Sequence, residues 1–416
     1  MKINVIGLGY IGLPTAAIFA SNNIDVVGVD VNKEVVETIN RGKIHISEPG
    51  LGDLVKKVVG NKKLVASTTP TKADVFVIAV PTPSFDDEFK GCDLKYVESA
   101  TKSIIPFIEK GNVVIIESTM SPRSTEDKIK PIFEQAGFIV GEDVYLAHCP
   151  ERVLPGQILE ELVNNSRIVG GITSKCSDAA AKVYEIFVKG DIVKTEAKTA
   201  EMSKLMENTY RDINIAIANE LTLICNKLNI NVLDVIKMAN MHPRVDILKP
   251  GPGVGGHCLA VDPYFIYAEV PQTSQIIKKA RDVNNLMPEF VVKNVENILK
   301  ADKSKTVTVF GVTYKPDVDD LRESPSLKIV QHLIDKGYSI KIHDPYVKDS
   351  TYLSKEDSLI DSDLLLILVA HSEFKNFDFS ILDKLMKNKL IFDVANVFSD
   401  KKETFIVNYG NLWEFN

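Results

Sequence analysis

The segment from Lys2 to Asp30 constrains the fold more than any other. Lys2–Ile6 is a short apolar run, and it is followed by Gly7, Gly9 and Gly12, an alanine-rich stretch, a second apolar run at Asp25–Val29, and Asp30. This order predicts strand, glycine turn, helix, strand and acid. Glycines there let the backbone approach a pyrophosphate at a helix N-terminus, and the acid accepts hydrogen bonds from a ribose 2′-hydroxyl. The pattern predicts a dinucleotide site, and the acid favours NAD because it would repel a 2′-phosphate.

Further apolar runs lie at residues 75–80, 113–117 and 144–147, separated by helical stretches at residues 94–109 and 124–136. Strands that alternate with helices predict a parallel sheet, in which functional residues gather at the carboxyl ends of the strands. Thr82 and Thr119 follow two of these ends and are candidate cofactor contacts. A third end leads into residues 148–156, a loop framed by proline and glycine that contains Glu151 and Arg152.

A long helix is predicted at residues 198–228, which contain neither proline nor glycine and whose apolar residues recur at helical spacing. Lys204, Asn208 and Arg211 stand at i, i+4 and i+7 of that helix and therefore project from one face. A solvated charged face is the alternative interpretation. Residues 274–286 predict another helix, and a helical segment between two α/β units is a common place for a dimer interface.

A glycine-rich loop at residues 251–263 contains a potential nucleophile. Cys258 is a soft nucleophile, and Asp262 adds a carboxylate four residues on. The glycines permit backbone conformations closed to other residues and leave room for a ligand. The alternative is a tight turn that contains a small buried cysteine.

The last part of the chain predicts a second nucleotide-binding-like half. Its apolar strands lie at residues 305–311, 339–343, 364–369 and 390–393, and a helix is predicted at residues 324–337. The glycine pattern of the first half is missing. Lys315 and Arg322 instead follow the first strand, where two cations suit a diphosphate.

Composition limits the class of partner. The chain has 416 residues, 45% of them hydrophobic, which is enough for two or three domains. A formal net charge of -7 argues against nucleic acid and acidic membranes as partners. The five scattered cysteines lack CxxC spacing, no apolar run reaches about 18 residues, and no secretion signal is present, which predicts a cytoplasmic protein. A metal-dependent protein using His148 and His257 is disfavoured because zinc-ligand spacings are missing, and we expect no metal.

Five longer motifs, in order, extend over nearly the whole chain: residues 7–14, 149–156, 240–245, 253–263 and 319–325. Together they make the chain resemble the UDP-glucose/GDP-mannose dehydrogenase family of nucleotide-sugar 6-dehydrogenases, most closely the branch that acts on UDP-N-acetyl-D-mannosamine. The resemblance implies an α/β fold with two Rossmann-like doubly wound sheets joined by a helical middle domain with one long helix. The implied domains are an NAD-binding domain at residues 1–190, a helical central and dimerisation domain at 191–300, and a UDP-sugar-binding domain at 301–416.

The resemblance also implies a four-electron oxidation, in which the sugar C6 alcohol becomes an aldehyde and then a carboxylate with two NAD. Cys258 would add to the aldehyde as a thiohemiacetal and then carry a thioester that water cleaves. Lys204 would stabilise the developing oxyanion, and Asn208 would share it. Asp262 would order or deprotonate the water, and Glu151 matches a carboxylate with a similar supporting role, so both are candidates for the base.

Matched positions extend these roles to binding. For the cofactor they are Gly7, Gly9, Tyr10, Ile11, Gly12, Asp30, Thr82, Thr119 and Arg322. For the nucleotide sugar they are Arg152, Val153, Lys204, Asn208, Arg211, His242, Arg244, Gly255, Tyr314 and Lys315. In the family the residue matching Arg244 can cross from a neighbouring subunit, which implies a homodimer or higher homo-oligomer.

The choice of sugar depends on fewer residues. Val261 stands where UDP-glucose dehydrogenases usually carry lysine, and residues 242–245 match the N-acetylmannosamine branch. UDP-N-acetyl-D-glucosamine, the C2 epimer, is the alternative substrate, and UDP-glucose is less favoured. A protein that binds nucleotide sugars without catalysis would not need Cys258, Lys204 and Asp262 together. A two-electron 3-hydroxyacid dehydrogenase would need neither the cysteine loop nor a third domain.

Overall fold

The computed structural model describes residues 1–398, 401 and 403–415. The chain forms two compact units. Unit 1 comprises Met1–Glu207 and Ala268–Val270, and unit 2 comprises Asn208–Tyr267 and Pro271–Asn416.

Unit 1 is built around an eight-stranded sheet. Its strands are β1 (Lys2–Ile6), β2 (Asp25–Val29), β3 (Leu64–Ser67), β4 (Val75–Ile78), β5 (Val113–Ile116), β6 (Tyr145–His148), β7 (Arg167–Gly171) and β8 (Ile192–Glu196). Its helices are α1 (Gly12–Ser21), α2 (Lys33–Asn40), α3 (Leu51–Gly60), α4 (Lys95–Ile104), α5 (Lys130–Gln135), α6 (Ile158–Asn164) and α7 (Ser174–Tyr184). The predicted helix at residues 94–109 is shorter than expected. The α-helical part ends at Ile104, and the chain continues as a 3₁₀ turn, Ile105–Phe107, because Pro106 lacks the backbone N–H that an α-helix would use.

The sheet order of unit 1 is β3-β2-β1-β4-β5-β6-β7-β8. Neighbouring strands are parallel except β6 and β7, which pair antiparallel. The winding direction reverses between β1 and β4, and in doubly wound sheets ligands bind at this point, outside the carboxyl ends of the strands. Every residue of β4 and β5 is buried, which explains why these strands read as unbroken apolar runs.

Four helices follow in the middle of the chain: α8 (Ala197–Leu228), α9 (Val232–Ala239), α10 (Asp262–Glu269) and α11 (Gln275–Ile298). The predicted long helix is therefore confirmed. The helix predicted at residues 274–286 continues past Pro288. Val291, Val292 and Val295 follow Pro288 in this helix and are buried in the core of unit 2. Their packing offsets the loss of the backbone hydrogen bond that proline cannot donate. No helix in the described part of the chain is long and apolar enough to cross a membrane.

The second sheet lies in unit 2. Its strands are β9 (Thr306–Phe310), β10 (Ser339–His343), β11 (Leu364–Ile367), β12 (Ile391–Asp393) and β13 (Ile406–Asn408), and its helices are α12 (Pro325–Asp335), α13 (Lys355–Leu359) and α14 (Ser380–Leu385). The strand order is β10-β9-β11-β12-β13, and all pairs are parallel. The winding reverses between β9 and β11. The predicted fold class, two doubly wound Rossmann-like sheets with a helical middle region, is therefore confirmed.

Candidate active site

The glycine turn after β1 contains one position that the protein's own packing leaves open. Gly7 has φ +91°, and its N–H donates to the Val29 carbonyl at 2.8 Å. A Cβ added at Gly12 would lie 1.8 Å from the Gly7 oxygen, so packing requires that glycine. A Cβ added at Gly9 would meet no atom of the described residues within 4 Å, its chain neighbours aside. Packing therefore does not explain a glycine at position 9, and the open space beside it fits close approach of a pyrophosphate.

Asp30 closes this turn from the end of β2. Its carboxylate accepts hydrogen bonds from the Leu8 N–H at 3.0 Å and the Asn32 N–H at 2.9 Å. This arrangement holds the acid beside the glycine turn, as a ribose contact requires. Thr82 and Thr119 are half-buried after β4 and β5, Tyr10 is exposed and Ile11 is half-buried. The residues present in unit 1 therefore fit NAD.

A buried ionic cluster lies beneath the loop at residues 149–156. The Arg167 guanidinium pairs with Glu151 at 2.7 Å and with Glu117 at 3.6 Å, and the Tyr184 hydroxyl donates to Glu117 at 2.7 Å. Burial raises the pKa of Glu117 to about 7, against the opposing charge of Arg167. Burial likewise raises the pKa of the Cys149 thiol to about 11, so this cysteine is a packed thiol and not an activated nucleophile.

Lys204 is buried on α8, with 7% of its surface exposed. His148 lies at the end of β6, also in unit 1. Burial, together with the positive charge of Lys204, lowers the pKa of His148 to about 3. His148 is therefore neutral at physiological pH. One turn before Lys204, the buried Glu201 carboxylate accepts from the Thr125 N–H at 2.8 Å and the Arg123 N–H at 2.6 Å. These bonds fix the part of α8 that carries Lys204.

Two predicted sugar contacts lie on the loop after β6. Arg152 pairs with Glu207 of α8 at 2.6 Å, which ties this loop to the helix. Val153 is half-buried and packs against the core of unit 1. Glu151 accepts from the Arg152 N–H at 2.7 Å in addition to its pair with Arg167, so both of its oxygens are engaged.

The loop that carries Cys258 belongs to unit 2 and packs tightly. A Cβ at Gly255 would lie 2.6 Å from the Glu323 carbonyl oxygen, and Gly256 has φ +81° with the Tyr314 ring 2.8 Å from an added Cβ. Only glycine permits this approach. Cys258 is half-buried, and its carbonyl accepts from the Asp262 N–H at 2.8 Å.

Asn208 and Asp262, predicted from separate stretches of sequence, lie together in unit 2. The Asn208 side-chain N–H donates to the Asp262 carboxylate at 2.6 Å, and Asp262 is 3% exposed. The amide therefore orients a carboxylate four residues from the thiol.

Tyr314 is surrounded by other predicted site residues. Its pKa is raised chiefly by burial, Asp320 and the Cys258 thiol add to the rise, and Arg322 and Arg211 oppose it. Arg322 also pairs with Asp320 at 2.6 Å, a partner that the sequence did not indicate.

A cavity of about 180 Å³ opens at the switch point of the second sheet. It is lined by residues 250–253, 313–316 and 368–370, among others, and Lys315 and Tyr314 are part of its wall. The cavity, with one cation in its wall, lies at the carboxyl ends of β9 and β11, where doubly wound sheets bind ligands. His242 and Arg244 lie elsewhere in unit 2, exposed on the turn after α9, where the Val245 N–H donates to the His242 carbonyl at 3.0 Å.

Sequence reasoning missed the buried polar residues that support these side chains. They are Glu117, Arg167 and Tyr184 in unit 1, and Asp212, Asn219, Arg281 and Asn284 in unit 2. One signal was available for part of the set. Asp212 and Asn219 continue the four- and seven-residue spacing that begins at Lys204 and Asn208.

The fold and the two sites define a class of protein. A glycine turn closed by an acid is the cofactor site of NAD-dependent oxidoreductases, and the cavity of the second sheet provides a place for a second nucleotide. The chain is thus an NAD-dependent dehydrogenase with two nucleotide-binding sheets.

Comparison with known proteins identifies the family. The NAD binding, central and UDP binding domains of the UDP-glucose/GDP-mannose dehydrogenase family match residues 1–188, 198–286 and 308–400. The chain is 48% identical over 404 residues to the UDP-N-acetyl-D-mannosamine dehydrogenase of Methanocaldococcus jannaschii, covering 96% of this chain and 93% of that protein. It is 49% identical over 391 residues to the enzyme of that name from Campylobacter jejuni, covering 90% and 96%.

A solved structure supports the same family. The UDP-N-acetyl-mannosamine dehydrogenase of S. aureus superposes with a TM-score of 0.94 at 53% identity, covering 100% of both chains. The chain belongs to the UDP-glucose/GDP-mannose dehydrogenase family. It uses NAD and oxidises a nucleotide sugar.

Proposed function

We propose that the protein is a UDP-N-acetyl-D-mannosamine 6-dehydrogenase. The C6 alcohol, two NAD⁺ and one water would give UDP-N-acetyl-D-mannosaminuronate, two NADH and three protons. The observation that carries this proposal is the half-buried Cys258, held in a close-packed glycine loop beside an Asn208–Asp262 hydrogen bond of 2.6 Å. An oxidation that stops at the aldehyde needs no such thiol.

Each proposed catalytic residue has one task. When bound at the glycine turn, NAD supplies the hydride acceptor for both oxidations. Cys258 adds to the C6 aldehyde as a thiohemiacetal, and its sulfur then carries the thioester that water cleaves. The Lys204 ammonium and the Asn208 amide stabilise the oxyanion of each tetrahedral intermediate. Asp262 or Glu151 takes the proton from the attacking water.

Binding roles follow the two sheets. Residues 1–190 would hold NAD through Gly7, Gly9, Asp30 and their neighbours. Residues 301–416 would hold UDP at the cavity walled by Tyr314 and Lys315, and residues 191–300 would supply the central and dimerisation domain. The names of the relatives from M. jannaschii, C. jejuni and S. aureus support N-acetylmannosamine as the sugar.

A homodimer is also proposed, and an exposed apolar stripe on α8 supports it. Tyr210, Ile217, Ile224 and Leu228 are 65%, 48%, 47% and 62% exposed and recur at seven- and four-residue spacing. Beside them, α8 and α11 line a cavity of about 270 Å³ whose rim includes Ile276, 72% exposed. An unpartnered apolar stripe of this kind is typical of a helix that packs against another copy.

The proposal is tested by the number of NADH molecules formed per sugar, with UDP-N-acetylmannosamine, its gluco epimer and UDP-glucose as separate substrates. We expect two NADH per N-acetylmannosamine and little reaction with the others. Cys258→Ser should lose the second oxidation because a hydroxyl is a much weaker nucleophile than a thiolate. Cys92→Ser, at another half-buried thiol, serves as the matched control.

Two outcomes would change the proposal in different ways. Two NADH with the gluco epimer alone would keep the thioester chemistry and correct the sugar. A single NADH per sugar, or activity indifferent to Cys258, would reject the four-electron mechanism.

A further inference from the structure

A buried chain of hydrogen bonds in unit 2 runs between α8 and α11 and reaches the start of the Cys258 loop. The Gly251 N–H donates to the Asn219 oxygen at 3.0 Å, and the Asn219 amide donates to the Asn284 oxygen at 2.9 Å. The Asn284 amide donates to the Asp212 carboxylate at 2.8 Å. Arg281 donates to the same carboxylate oxygen at 2.6 Å. These four side chains are at most 2% exposed.

The hydrogen-bond network continues from Arg281 to the other end of the loop. The Arg281 guanidinium donates to the Asn285 oxygen at 2.8 Å, and the Asn285 amide donates to the Tyr264 hydroxyl at 3.0 Å. Tyr264 lies on α10, whose first residue, Asp262, donates its N–H to the Cys258 carbonyl at 2.8 Å. The hydrogen-bond network therefore holds residues 251–264 at both ends, with Cys258 between them.

The direction of every hydrogen bond in this network is set by groups that have one role, either donor or acceptor. A backbone N–H at Gly251 and a guanidinium at Arg281 only donate, and the Asp212 oxygen that Arg281 and Asn284 both contact accepts from each of them. Each intervening amide is consequently fixed in one orientation, so the network specifies one position for Gly251 and one for Tyr264. The second Asp212 oxygen, Oδ2, and the Arg281 Nε are buried without a hydrogen-bond partner among the described residues. The bonds that do form connect α8 and α11 to both flanks of the loop, and buried hydrogen bonds of this kind rigidify the elements they join.

Core packing alone does not account for the network. A buried amide or ion pair costs free energy that apolar side chains of similar volume would avoid. The bonds lead from two helices to the two flanks of a single loop. Further contacts hold the same flank, since Tyr409 donates to the Gly251 carbonyl at 3.1 Å and Asn396 to the Pro250 carbonyl at 3.2 Å.

We propose that Asn219, Asn284 and the Asp212–Arg281 pair are positioning residues that fix the loop carrying Cys258 for nucleophilic attack. The catalytic part of this inference rests on the proposed function. Because a misplacement of about 1 Å is enough to cost on the order of a hundredfold in rate, a loop without its tethers should bind substrate and react slowly.

The test compares Asn219→Leu with Asn294→Leu. Asn294 is a matched control because it is 2% exposed on α11 and its amide donates to the Phe290 carbonyl within its own helix. Both variants should lower the melting temperature, since each removes a buried amide. Only Asn219→Leu should lower kcat by about tenfold or more, with KM for the nucleotide sugar changed by less than about threefold.

A second readout does not depend on turnover. Iodoacetamide should alkylate Cys258, measured by peptide mass spectrometry, at least about threefold faster in Asn219→Leu than in wild type, because a loosened loop exposes a half-buried thiol more often. Asn294→Leu should react at the wild-type rate. This measurement separates the two proposals, since a wild type that forms no NADH would reject the dehydrogenase function and still report whether the tether exists.

Tyr264→Phe covers the case in which Asn219→Leu fails to fold. It removes the hydroxyl that accepts from Asn285 and leaves the ring in place. Lower kcat and faster alkylation at a near-wild-type melting temperature would support the proposal. Equal effects of Asn219→Leu and Asn294→Leu on both readouts, or wild-type behaviour of Tyr264→Phe, would overturn it.

Discussion

At the scale of single residues, Glu117 shows why the sequence was only partly informative. Glu117 ends the apolar run at residues 113–117 that predicts a strand. Its carboxylate is buried, with 2% of the residue exposed, and its partner Tyr184 lies 67 residues away in the chain. Local patterns identify the strand end, but the packing that buries the carboxylate depends on long-range contacts that no periodicity encodes. The same limit hid the pairing of Asp212 with Arg281.

The burial of Glu117 predicts a pH dependence of stability. Its native pKa is raised to about 7, above the unfolded value of about 4.3, so the native state keeps a proton that the unfolded state has lost. Stability should therefore fall as pH rises through this interval, by at most about 1.4 kcal/mol per pH unit from this group. Glu117→Gln removes the titration, and its oxygen can still accept from Tyr184.

We expect the melting temperature of Glu117→Gln, relative to wild type, to increase between about pH 5 and about pH 7.5. Scanning fluorimetry of both proteins across that range measures the difference. Glu109→Gln, at an exposed position, controls for the loss of one formal carboxylate. A relative melting temperature that stays level or decreases with pH would show that Glu117 is ionised throughout.

At the scale of elements, the two sheets repeat one turn. In the second sheet the Gly311 N–H donates to the His343 carbonyl at 2.9 Å and the Val312 N–H to the Asp344 carboxylate at 2.8 Å. These bonds repeat those made by Gly7, Leu8 and Asp30 in the first sheet. Asp344, however, is buried, and its Oδ2 lies 3.2 Å from the Nε2 of His371. In the second sheet this carboxylate therefore contacts a protein side chain. The sequence predicted both α/β halves but could not reveal this shared geometry, since only the first carries the full glycine motif.

The first turn gives a prediction that separates packing from binding. Gly12→Ala should lower the melting temperature because its Cβ would lie 1.8 Å from the Gly7 oxygen. Gly9→Ala should fold normally, since among the described residues its Cβ meets only its chain neighbours within 4 Å. It should weaken NAD binding by about tenfold or more through collision with the pyrophosphate.

Calorimetric titration with NAD and thermal melting measure the two effects. Gly60→Ala is the control, because this glycine at the end of α3 also has open space around its Cβ and lies outside the turn. Unchanged NAD affinity in Gly9→Ala would mean that the cofactor does not approach this turn.

At the scale of the whole molecule, local sequence patterns predicted where three features of the fold would lie. The glycine turn, the long helix and the cysteine loop each appear where their local patterns placed them. Dimerisation is harder to predict from the sequence, because an apolar residue at helical spacing can face either the core or a partner subunit. Exposure resolves this ambiguity: Ile217 recurs in the helical pattern and is 48% exposed, whereas Ala218 beside it is fully buried.

Ile217→Glu should therefore convert a dimer to a monomer, because a carboxylate in the centre of an apolar interface loses its hydration without gaining a partner. Size-exclusion chromatography with light scattering measures the mass. Ile139→Glu is the matched control, since Ile139 is 57% exposed and lies in unit 1, whereas Ile217 lies in unit 2. If Arg244 acts in the neighbouring subunit, the monomer should also lose dehydrogenase activity while keeping its melting temperature near that of the control. A monomeric Ile217→Glu variant with full activity would show that each chain carries a complete site, and a dimeric variant would move the interface away from this stripe.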